Sequence, residues 1–512
     1  MIWQGVRRNG NTLHESVIWR SVLDFTLSVI GVLAQLFVFV LGAGLIAVLV
    51  MYIVDVRQKT HAVRRNYPVF GRFRYLFEHL GEFFRQYFFA MDREEMPFNR
   101  AERNWAYRAA KGESTTIGFG STRDLRPVGT PLFVNCAYPT LEKDARPAST
   151  LVIGPECEHP YTAPSVFNIS AMSYGALSKV AVQALAKGAG KAGCWINTGE
   201  GGLSPYHLEG EGDVVFQIGT AKFGAQDAHG NLDETKLAET AGHPRVKMVE
   251  IKLSQGAKPG KGGMLPGAKV SEEISRIRMI PIGEDAISPN RHPDVNNPGE
   301  LLDLIARVRK VTGKPTGIKA VIGAYGWLDE LCEEILRRGP ESAPDFFTVD
   351  SSEGGTGAAP QTLMDFVGLP LRESLPLVGA ILRKHELKSR IAVIASGKLI
   401  TPGEAAWALC AGADFVVSAR GFMFALGCIQ ALQCNKNTCP TGITTHDEDL
   451  QKGLDVADKT ERVYRYAKTM QKELGTIAHS CGVPEPRLLR RIHCRIVQEN
   501  GMSKPLDELY PD

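Results

Sequence analysis

Three cysteines lie close together near the carboxyl-terminal end of the sequence. Cys428, Cys434 and Cys439 occur in the stretch CIQALQCNKNTCP, with five and four residues between them. Thiolates are soft ligands that hold iron–sulfur clusters or zinc. Tetrahedral zinc sites and four-cysteine clusters need four ligands, and the next histidine is His446. The spacing leaves three alternatives: a three-iron cluster, a zinc site completed by a distant group, or no metal at all.

Basic and amide side chains precede a glycine-rich loop in the run KLSQGAKPGKGGMLPG. Lys252, Gln255 and Lys258 are three residues apart, and Arg276 and Arg278 follow. Arginine binds a carboxylate through two parallel hydrogen bonds and lysine adds a point charge, so this set suits a dicarboxylate substrate. The alternative is a solvated basic loop.

Two other ionisable residues lie at the ends of apolar runs. Glu200, in INTGEGG, is either a proton carrier or binder of an ammonium-like group, or a carboxylate that stabilises a tight turn. Lys319 lies in GIKAVI, where an unpaired buried charge would be costly. We expect Lys319 either to pair with a nearby aspartate or to contact the electron-rich pyrimidine end of a flavin.

These residues belong to a repeating pattern that begins near residue 165. Short apolar runs alternate with amphipathic stretches such as LSKVAVQALAKGAGKAG, which end near glycine as helices prefer. The eight runs are SVFNISAMS, CWINTGEG, VVFQIG, KMVEIKLS, GIKAVI, FFTVDSS, IAVIASG and FVVSAR. Eight strands with intervening helices over about 265 residues predict an α/β fold, a (β/α)8 TIM barrel. A doubly wound sheet is the alternative.

In the predicted barrel, the polar turns that follow the strands all lie at the same end. Active sites of these barrels lie at the carboxyl ends of the strands, and a phosphate commonly binds after strands seven and eight. The turns ASGK and SARG follow those two runs and carry Lys398 and Arg420. They predict a site for the phosphate of a mononucleotide.

The amino-terminal region has a different composition. The thirty residues from Phe25 to Val54 carry no charge, whereas a spanning helix needs only about 20. This length exceeds the apolar core of a signal peptide, and a buried core helix is the alternative. Three arginines precede the segment and six lysines or arginines follow it up to residue 74. The positive-inside rule therefore predicts a single-pass membrane protein whose catalytic domain lies in the cytoplasm.

We divide the chain into an N-terminal tail 1–24, a transmembrane helix 25–54, a juxtamembrane helical linker 55–114, a barrel 115–500 and a C-terminal tail 501–512. Residues 72–108 mix aromatics with arginines at helical spacing, so they lie in the membrane interface or pack against the barrel. The net charge of +3 and the lack of a basic stripe argue against nucleic-acid binding. Ten scattered cysteines indicate a reducing compartment rather than a disulfide scaffold.

Taken together, the motifs resemble the FMN-binding synthase domain of the glutamate synthases over roughly residues 115–500. The resemblance is carried by FGSTRDLRPVGTPLF, NTGEGG, KLSQGAKPGKGGMLPG, SEGGTGAAP and CIQALQCNKNTCPTGITTH. It implies a flavin-containing barrel, an oxidoreductase acting on CH–NH2 donors, that reduces the imine of 2-oxoglutarate and ammonia to L-glutamate. It also implies a 3Fe-4S cluster that relays electrons to FMN.

The resemblance assigns roles to individual residues. The cluster ligands it implies are Cys428, Cys434 and Cys439. The FMN contacts it implies are Ser170, Met172, Asn197, Gln217 and Lys319, with Gly397, Lys398 and Gly421 near the phosphate. The residues it implies for 2-oxoglutarate are Lys252, Gln255, Lys258 and Arg278. Glu200 and Lys258 are the residues expected to act in catalysis.

The sequence departs from the family pattern in ways that keep other functions open. Where the family commonly has GEGGQLPG, this chain has GKGGMLPG, with Lys261 and Met264 near the expected substrate. An enzyme that forms or oxidises another amino acid or an N-alkylglutamate is one alternative, and a non-catalytic electron-transfer subunit of a membrane complex is another. We expect a separate ammonia source, because the resemblance includes neither the family's glutaminase domain before the barrel nor its large C-terminal domain after it.

No G-x-G-x-x-G fingerprint follows a strand in the sequence, so NAD(P)H would require a separate reductase. We therefore expect a ferredoxin or a membrane redox protein as the electron donor. The chain could also form a homo-oligomer.

Overall fold

A computed structural model describes residues 11–511 of the 512-residue chain. The chain divides into two compact units, Met1–Pro97 and Phe98–Asp512. The helices of the N-terminal unit are α1 Asn11–Arg57, α2 Ala62–Asn66 and α3 Gly71–Phe84, and α3 continues into a π-helical turn, Arg85–Phe89.

The predicted apolar helix 25–54 lies within α1. Its segment Trp19–Arg57, 39 residues long, has the length and composition to cross a membrane, and its large apolar side chains from Trp19 to Val50 are exposed. Because α1 begins at Asn11, the described part of the predicted tail 1–24 is also helical. Residues 1–10 of that tail lie outside the described part of the chain.

A buried carboxylate connects the end of α1 to the start of α3. Asp55 is only 1% exposed, and its carboxylate accepts hydrogen bonds from Arg72 Nε at 2.8 Å and Arg72 Nη2 at 2.9 Å. It also accepts the backbone N–H of Val69 at 3.0 Å. A two-point arginine–carboxylate contact fixes orientation as well as distance, so the direction of α3 is set relative to α1.

Among the residues that the structure describes, the barrel unit contains fifteen strands and the remaining helices. The strands are β1 Pro131–Phe133, β2 Leu151–Ile153, β3 Tyr161–Ala163, β4 Phe167–Ile169, β5 Ile196–Asn197, β6 Val214–Ile218, β7 Val246–Lys252, β8 Met264–Leu265, β9 Ala286–Ile287, β10 Thr316–Val321, β11 Phe346–Asp350, β12 Ala392–Ser396, β13 Phe415–Ser418, β14 Cys494–Val497 and β15 Ser503–Pro505.

The helices of this unit follow the same chain order. They are α4 Arg100–Lys111, α5 Lys179–Ala192, α6 Pro205–Leu208, α7 Glu234–Gly242, α8 Glu272–Arg278, α9 Pro298–Thr312, α10 Gly326–Arg338, α11 Gln361–Phe366, α12 Leu371–Lys384, α13 Pro402–Cys410, α14 Arg420–Leu426, α15 Glu448–Gln451, α16 Val456–Ser480 and α17 Leu506–Leu509.

Eight of the strands close into a parallel barrel in the order β4-β5-β6-β7-β10-β11-β12-β13, with β13 paired to β4. These strands are the eight predicted apolar runs, so the TIM-barrel prediction is confirmed and the doubly wound alternative is wrong. The longest connection between neighbouring strands runs from β7 to β10 and carries the small β8–β9 hairpin, α8 and α9.

The interior of the barrel is filled by large side chains near the start of the strands. Trp195, Met248, Phe346 and Phe415 belong to one buried cluster, which also includes Tyr161 of the β2–β3 hairpin. The hairpin therefore closes the amino-terminal end of the barrel. The opposite, carboxyl-terminal end is left for polar side chains.

Helix α4 packs on the barrel unit against α14 and α16. Asn99 and Glu102 form a capping box at its start, and Gly112 ends it in the left-handed conformation. Its buried face carries Ala106, Ala109 and other small residues. The second half of the aromatic and arginine-rich region 72–108 therefore packs on the barrel through α4.

The first half of that region differs. Helix α3 and its π-helical turn expose Phe73, Phe77, Phe88 and Phe89, with Phe77 65% and Phe88 74% exposed. Clustered exposed apolar side chains mark interaction surfaces in soluble and membrane proteins.

Candidate functional site

An open cavity lies at the carboxyl-terminal mouth of the barrel and encloses about 1410 Å³, including the solvent at its entrance. The predicted site residues that line it are Ser170, Met172, Glu200, Gln217, Lys252, Gln255, Lys258, Arg278, Lys319, Gly397, Lys398 and Cys434. Residues that are distant in sequence thus meet at the end of the barrel where active sites of this architecture occur.

Four predicted residues lie beside this cavity rather than on its wall. Asn197 lines a smaller cavity inside the barrel, together with Ser170 and Lys319. Gly421 is buried in the first turn of α14, where its N–H donates to Ser418 Oγ at 3.3 Å. Cys428 is half-buried and Cys439 is buried, one on each side of Cys434 in the sequence.

The basic residues of the glycine-rich run surround Glu200. Lys252 Nζ lies 2.7 Å from Glu200 Oε2 and Lys258 Nζ lies 3.9 Å from Glu200 Oε1. Lys252 Nζ also donates to Gln255 Oε1 at 2.8 Å. The alternative of a solvated basic loop is therefore wrong for Lys252 and Lys258, which are both buried.

The charge states of this cluster follow from burial and from its ion pairs. Burial alone would raise the pKa of Glu200, but Lys252 and Lys258 outweigh it and lower that pKa to about 2. Burial lowers the pKa of Arg278 to about 10 and also lowers the pKa of Lys258. At neutral pH Glu200 is therefore ionised. Three cationic side chains face this single carboxylate, which leaves an excess of two positive charges.

Helix α8 positions Arg278, its last residue. Ser271 caps the helix, and the phenols of Tyr174 and Tyr206 donate to the two oxygens of Glu273 at 2.5 and 2.6 Å. Arg278 Nη2 donates to the carbonyl of Tyr174 at 3.0 Å. Its Nε is buried and has no hydrogen-bond partner among residues 11–511. A buried donor without a partner is costly, so this atom is a candidate ligand contact.

Glu250 is a site residue that the sequence analysis missed. Its side chain is 3% exposed and accepts hydrogen bonds from Asn197 Nδ2 at 2.8 Å, Gln217 Nε2 at 2.6 Å and Thr348 Oγ1 at 2.6 Å. It thereby fixes the amides of two residues predicted to contact FMN. Because side chains alternate along a strand, Glu250 shares the inward face of β7 with Lys252, and that parity could have identified it.

Lys319 forms an ion pair, one of the two outcomes expected for it. Its Nζ lies 3.4 Å from Asp350 Oδ2, which also accepts the backbone N–H of Gly256 at 2.9 Å. Lys319 lies beside Lys252 in the register of β10 and β7. Asp350 at the end of β11 was not predicted as a site residue. A flavin contact of Lys319 stays a prediction.

The turns after β12 and β13 form the other end of the cavity. Gly397 has φ of 122°, and a Cβ there would collide with Ser351, so the position requires glycine. Lys398 Nζ lies 3.7 Å from Glu353 Oε1. Arg420 Nη2 donates to the carbonyl of Thr356 at 2.7 Å and, within the described residues, forms no ion pair with a carboxylate.

The cysteine loop is held by contacts from outside the barrel core. Tyr107 Oη donates to the carbonyl of Cys428 at 2.6 Å, and the amide of Gln430 exchanges hydrogen bonds with the backbone of Phe98. Lys269 Nζ donates to the carbonyl of Cys434 at 3.0 Å. All ten cysteines are free.

Two of the three thiols have shifted pKa values in opposite directions. Burial raises the pKa of Cys428. Burial acts in the same direction on Cys439, but hydrogen bonds from Thr441 and Thr444 outweigh it and lower its pKa. No group of three or more His, Cys, Asp or Glu side chains in the described chain is arranged to hold a metal ion, so the metal assignment of this loop stays a prediction.

Two residues of the glycine-rich loop depart from the family pattern, Lys261 and Met264. Met264 lines the cavity and is 52% exposed, and Lys261 is exposed. Between them, a Cβ at Gly263 would lie 2.5 Å from Glu200 Oε1. That glycine therefore lets the loop approach the carboxylate at the centre of the charge cluster.

Comparison with known proteins identifies relatives over most of the chain. A family profile described as "Conserved region in glutamate synthase" matches residues 134–484. The "Glutamate synthase large subunit-like protein YerD" of Bacillus subtilis (strain 168) is 39% identical over 93% of this chain and 98% of its own length. The "Archaeal-type glutamate synthase (NADPH)" of Dehalococcoides mccartyi is 34% identical to this chain. That alignment covers 64% of this chain and 62% of the relative's length.

Among solved structures, the recombinant flavin-binding domain of baker's yeast flavocytochrome b2 superposes with a TM-score of 0.44 and 15% identity. The superposition covers 80% of this chain and 83% of that chain.

Proposed function

The chain belongs to the glutamate synthase family, and we propose that its barrel reduces the imine formed from 2-oxoglutarate and ammonia to L-glutamate. The observation that carries this proposal is the cluster of Lys252, Lys258 and Arg278 around Glu200. An excess of two positive charges in a buried cleft matches a dianion. Simple monocarboxylates would leave one of these charges unbalanced, which is unfavourable in a low-dielectric site.

In the proposed complex, Arg278 binds one carboxylate of the oxo acid through its guanidinium. Its unpartnered Nε supports this role, since a planar guanidinium matches a carboxylate with two hydrogen bonds. Lys252 and Gln255, already hydrogen-bonded to each other, would bind the second carboxylate. Their fixed positions reduce the ordering required when the substrate binds.

We propose FMN as the bound cofactor, with the isoalloxazine near Ser170, Met172, Asn197, Gln217 and Lys319. The residues proposed for its phosphate are Gly397, Lys398 and Gly421. The fit is supported by two observations: Glu250 preorients the two amides, and Arg420 at the opposite end lacks a carboxylate partner within residues 11–511. When bound, FMN would supply the hydride for reduction of the imine carbon.

The protein's own groups would manage the proton. Because the pKa of Glu200 is about 2, this residue stays ionised and suits a positively charged iminium nitrogen rather than proton donation. Lys258, whose pKa is lowered by burial, is a better proton donor near neutrality than an exposed lysine. We propose that Lys258 Nζ supplies the proton that converts the product amine to an ammonium group.

For the cysteine loop we propose a 3Fe-4S cluster on Cys428, Cys434 and Cys439. The donor chemistry fits, since the loop offers three free thiols and the middle one lines the cavity. Several iron atoms accept thiols that lie further apart than the ligands of a single ion. The cluster would pass electrons that a separate protein delivers, and we propose a ferredoxin or a membrane redox protein for that part.

We propose that α1 spans the membrane with the barrel on the cytoplasmic side. Its exposed apolar surface and the lysines and arginines that follow it support this arrangement. The exposed phenylalanines of α3, held at the end of α1 by the Asp55–Arg72 contact, suit the interface of the same membrane. Resistance of the chain to alkaline extraction from membranes would support anchorage. Protease treatment of inside-out membrane vesicles tests orientation: an epitope at the amino terminus should be protected from digestion and one at the carboxyl terminus should be digested.

The function is tested with the full chain in detergent or nanodiscs, loaded with flavin and iron. The flavin is reduced with dithionite and mixed with 2-oxoglutarate, with ammonium, or with both. We expect flavin reoxidation and L-glutamate formation only when both are present. A loaded flavin that no oxo acid and amine reoxidise would contradict the proposal and favour the electron-transfer subunit.

A second candidate reaction uses a primary alkylamine in place of ammonia and yields an N-alkylglutamate. It is favoured by Met264, whose half-exposed apolar side chain lines the cavity. The same reoxidation assay with methylamine discriminates the two reactions. A ratio of kcat/KM above one for methylamine over ammonia would favour the second candidate, and Met264→Gln should then lower that ratio.

A further inference from the structure

A buried lysine lies between the two loops of the candidate site. Lys269 ends the short 3-10 turn Gly267–Lys269 and is 3% exposed. Its Nζ donates to the carbonyls of Thr444 at 2.7 Å and Cys434 at 3.0 Å. No carboxylate of the part of the chain described by the structure lies within ion-pair distance of it.

The other buried lysines are satisfied in different ways. Lys252 and Lys319 each have a carboxylate partner, and Lys314 donates to three carbonyls at and beyond the end of α7. An ammonium group has three donors, and Lys269 uses two of them on protein atoms. A buried charge that lacks both a full hydrogen-bond set and a counter-charge is costly.

Both carbonyls that Lys269 binds belong to the segment around the thiols. Cys434 itself lines the cavity, as does Lys269, and the loop that ends in Lys269 also contributes Met264 and Leu265 to the cavity wall. Lys269 is therefore the direct connection between the glycine-rich substrate loop and the cysteine loop.

We infer that Lys269 is a positioning residue for the iron–sulfur site: its charge balances the anionic thiolate-bound cluster, and its hydrogen bonds to the carbonyls of Cys434 and Thr444 hold the thiol segment at the cavity. This inference rests on the cluster proposed above. A fixed cation beside a redox centre stabilises the reduced form, which carries one more negative charge. Lys269 should therefore raise the reduction potential of the cluster and favour its assembly.

The test compares two substitutions that separate charge from hydrogen bonding. Lys269→Gln keeps two amide donors but removes the charge, and Lys269→Arg keeps the charge. Lys436→Gln removes an exposed lysine of the cysteine loop and serves as the matched control. The measurements on full-length protein are iron per chain and the potential of the cluster in a titration followed by electron paramagnetic resonance.

We expect Lys269→Gln to shift the reduction equilibrium at least tenfold toward the oxidised cluster, which is about 59 mV more negative for one electron, and to lower iron content. Lys269→Arg should recover most of the shift, and Lys436→Gln should leave both values unchanged. Flavin content and circular dichroism show that each variant is folded.

Two results would overturn the inference, and they differ in what else they affect. A folded Lys269→Gln variant with the iron content and potential of the parent protein would reject the role of Lys269 while leaving the cluster in place. Parent protein that binds flavin but assembles no iron would reject the proposed cluster, and the role of Lys269 with it.

Discussion

In the N-terminal unit, the leucines, valines and phenylalanines of α1 are exposed along the helix, whereas the barrel unit buries lysines, arginines and glutamates at its mouth. Soluble proteins ordinarily bury their apolar side chains and expose their charged ones, because it is unfavourable to expose apolar surface to water and to bury an unpaired charge. The two units therefore depart from the usual distribution in opposite directions.

The comparison indicates what each region lacks when it is considered alone. An apolar helix surface is stable where hydrocarbon replaces water, and a buried excess of positive charge is stable where an anion binds. Within the barrel, Lys319 and Asp350 already balance each other, whereas Lys252, Lys258 and Arg278 outnumber Glu200. A surrounding for α1 and a ligand for the barrel are thus separate requirements that can be tested separately.

The largest effect is expected from breaking the charge cluster. Lys252→Met removes the cation 2.7 Å from Glu200 and leaves its carboxylate with weaker partners. Lys252 is also a proposed contact of a substrate carboxylate, and truncating one partner of a buried charge pair at a binding site costs about 2–5 kcal/mol, so kcat/KM for the oxo acid should fall roughly 30- to 5,000-fold. Lys261→Met, which removes an exposed lysine of the same loop, should change it by less than about threefold. Equal effects of the two variants would contradict a specific charge site.

The opposite change, a charge on the apolar helix, tests the other region. Leu36 is 57% exposed near the middle of α1, and arginine at the centre of a spanning helix costs about 3 kcal/mol. Leu36→Arg should therefore reduce the ratio of inserted to non-inserted chain in microsomes roughly 10²-fold. Val22→Arg, close to the end of the apolar segment, should have a much smaller effect. If both variants insert like the parent chain, α1 does not depend on lipid.

Acidification should destabilise the barrel unit, because it contains a buried histidine, His207, that is neutral when folded. His207 is buried, and burial lowers its pKa to about 4 from an ordinary 6.5. Between these values the unfolded chain binds more protons than the folded chain, so the free energy of unfolding falls as pH falls below about 6.5, by about 2 kcal/mol at pH 5. Urea unfolding followed between pH 7.5 and 4 measures this slope.

The slope should become shallower in His207→Asn, whose side chain does not titrate. His229→Asn, at an exposed position, should retain the slope of the parent protein. A steep slope in His207→Asn would assign the acid sensitivity to other groups.

The smallest effect is expected from an ordinary surface interaction, which sets the scale for the others. Asn297 caps α9 by accepting the N–H of Glu300 at 2.9 Å. Asn297→Ala should lower the free energy of unfolding by about 1 kcal/mol, and Asn297→Ser, which keeps a capping oxygen, should recover most of it. A loss of several kcal/mol at this cap would mean that the larger effects above are not specific to buried charge.

Much of the barrel could be predicted because its strands are continuous apolar runs that end in polar turns. The helices between them, such as α5, were predicted by apolar spacing and by a glycine just after the last turn. The bounds of these elements follow local rules, so one sequence suffices to find them.

The partners of the site residues depend on contacts between distant segments. The pairing of Lys319 with Asp350, the hydrogen bonds of Glu250 to three other barrel strands and the contact of Lys269 with Cys434 all need the closed barrel. Periodicity indicates which face a side chain occupies but not what lies opposite it. The motifs therefore pointed to residues that line the cavity, whereas Glu250, Asp350 and Lys269 were found only in three dimensions.

The hydrogen bond from Tyr107 to Cys428, with that between Phe98 and Gln430, has a practical consequence for producing a soluble form. A truncation at residue 115, where the recognisable barrel motifs begin, would remove both supports and leave the thiol segment open to oxidation. A truncation at residue 98 retains them and still discards the entire apolar helix. On the proposal that the barrel binds FMN and the loop binds a cluster, the later start should yield a yellow protein that loses iron during purification, and the earlier start should not.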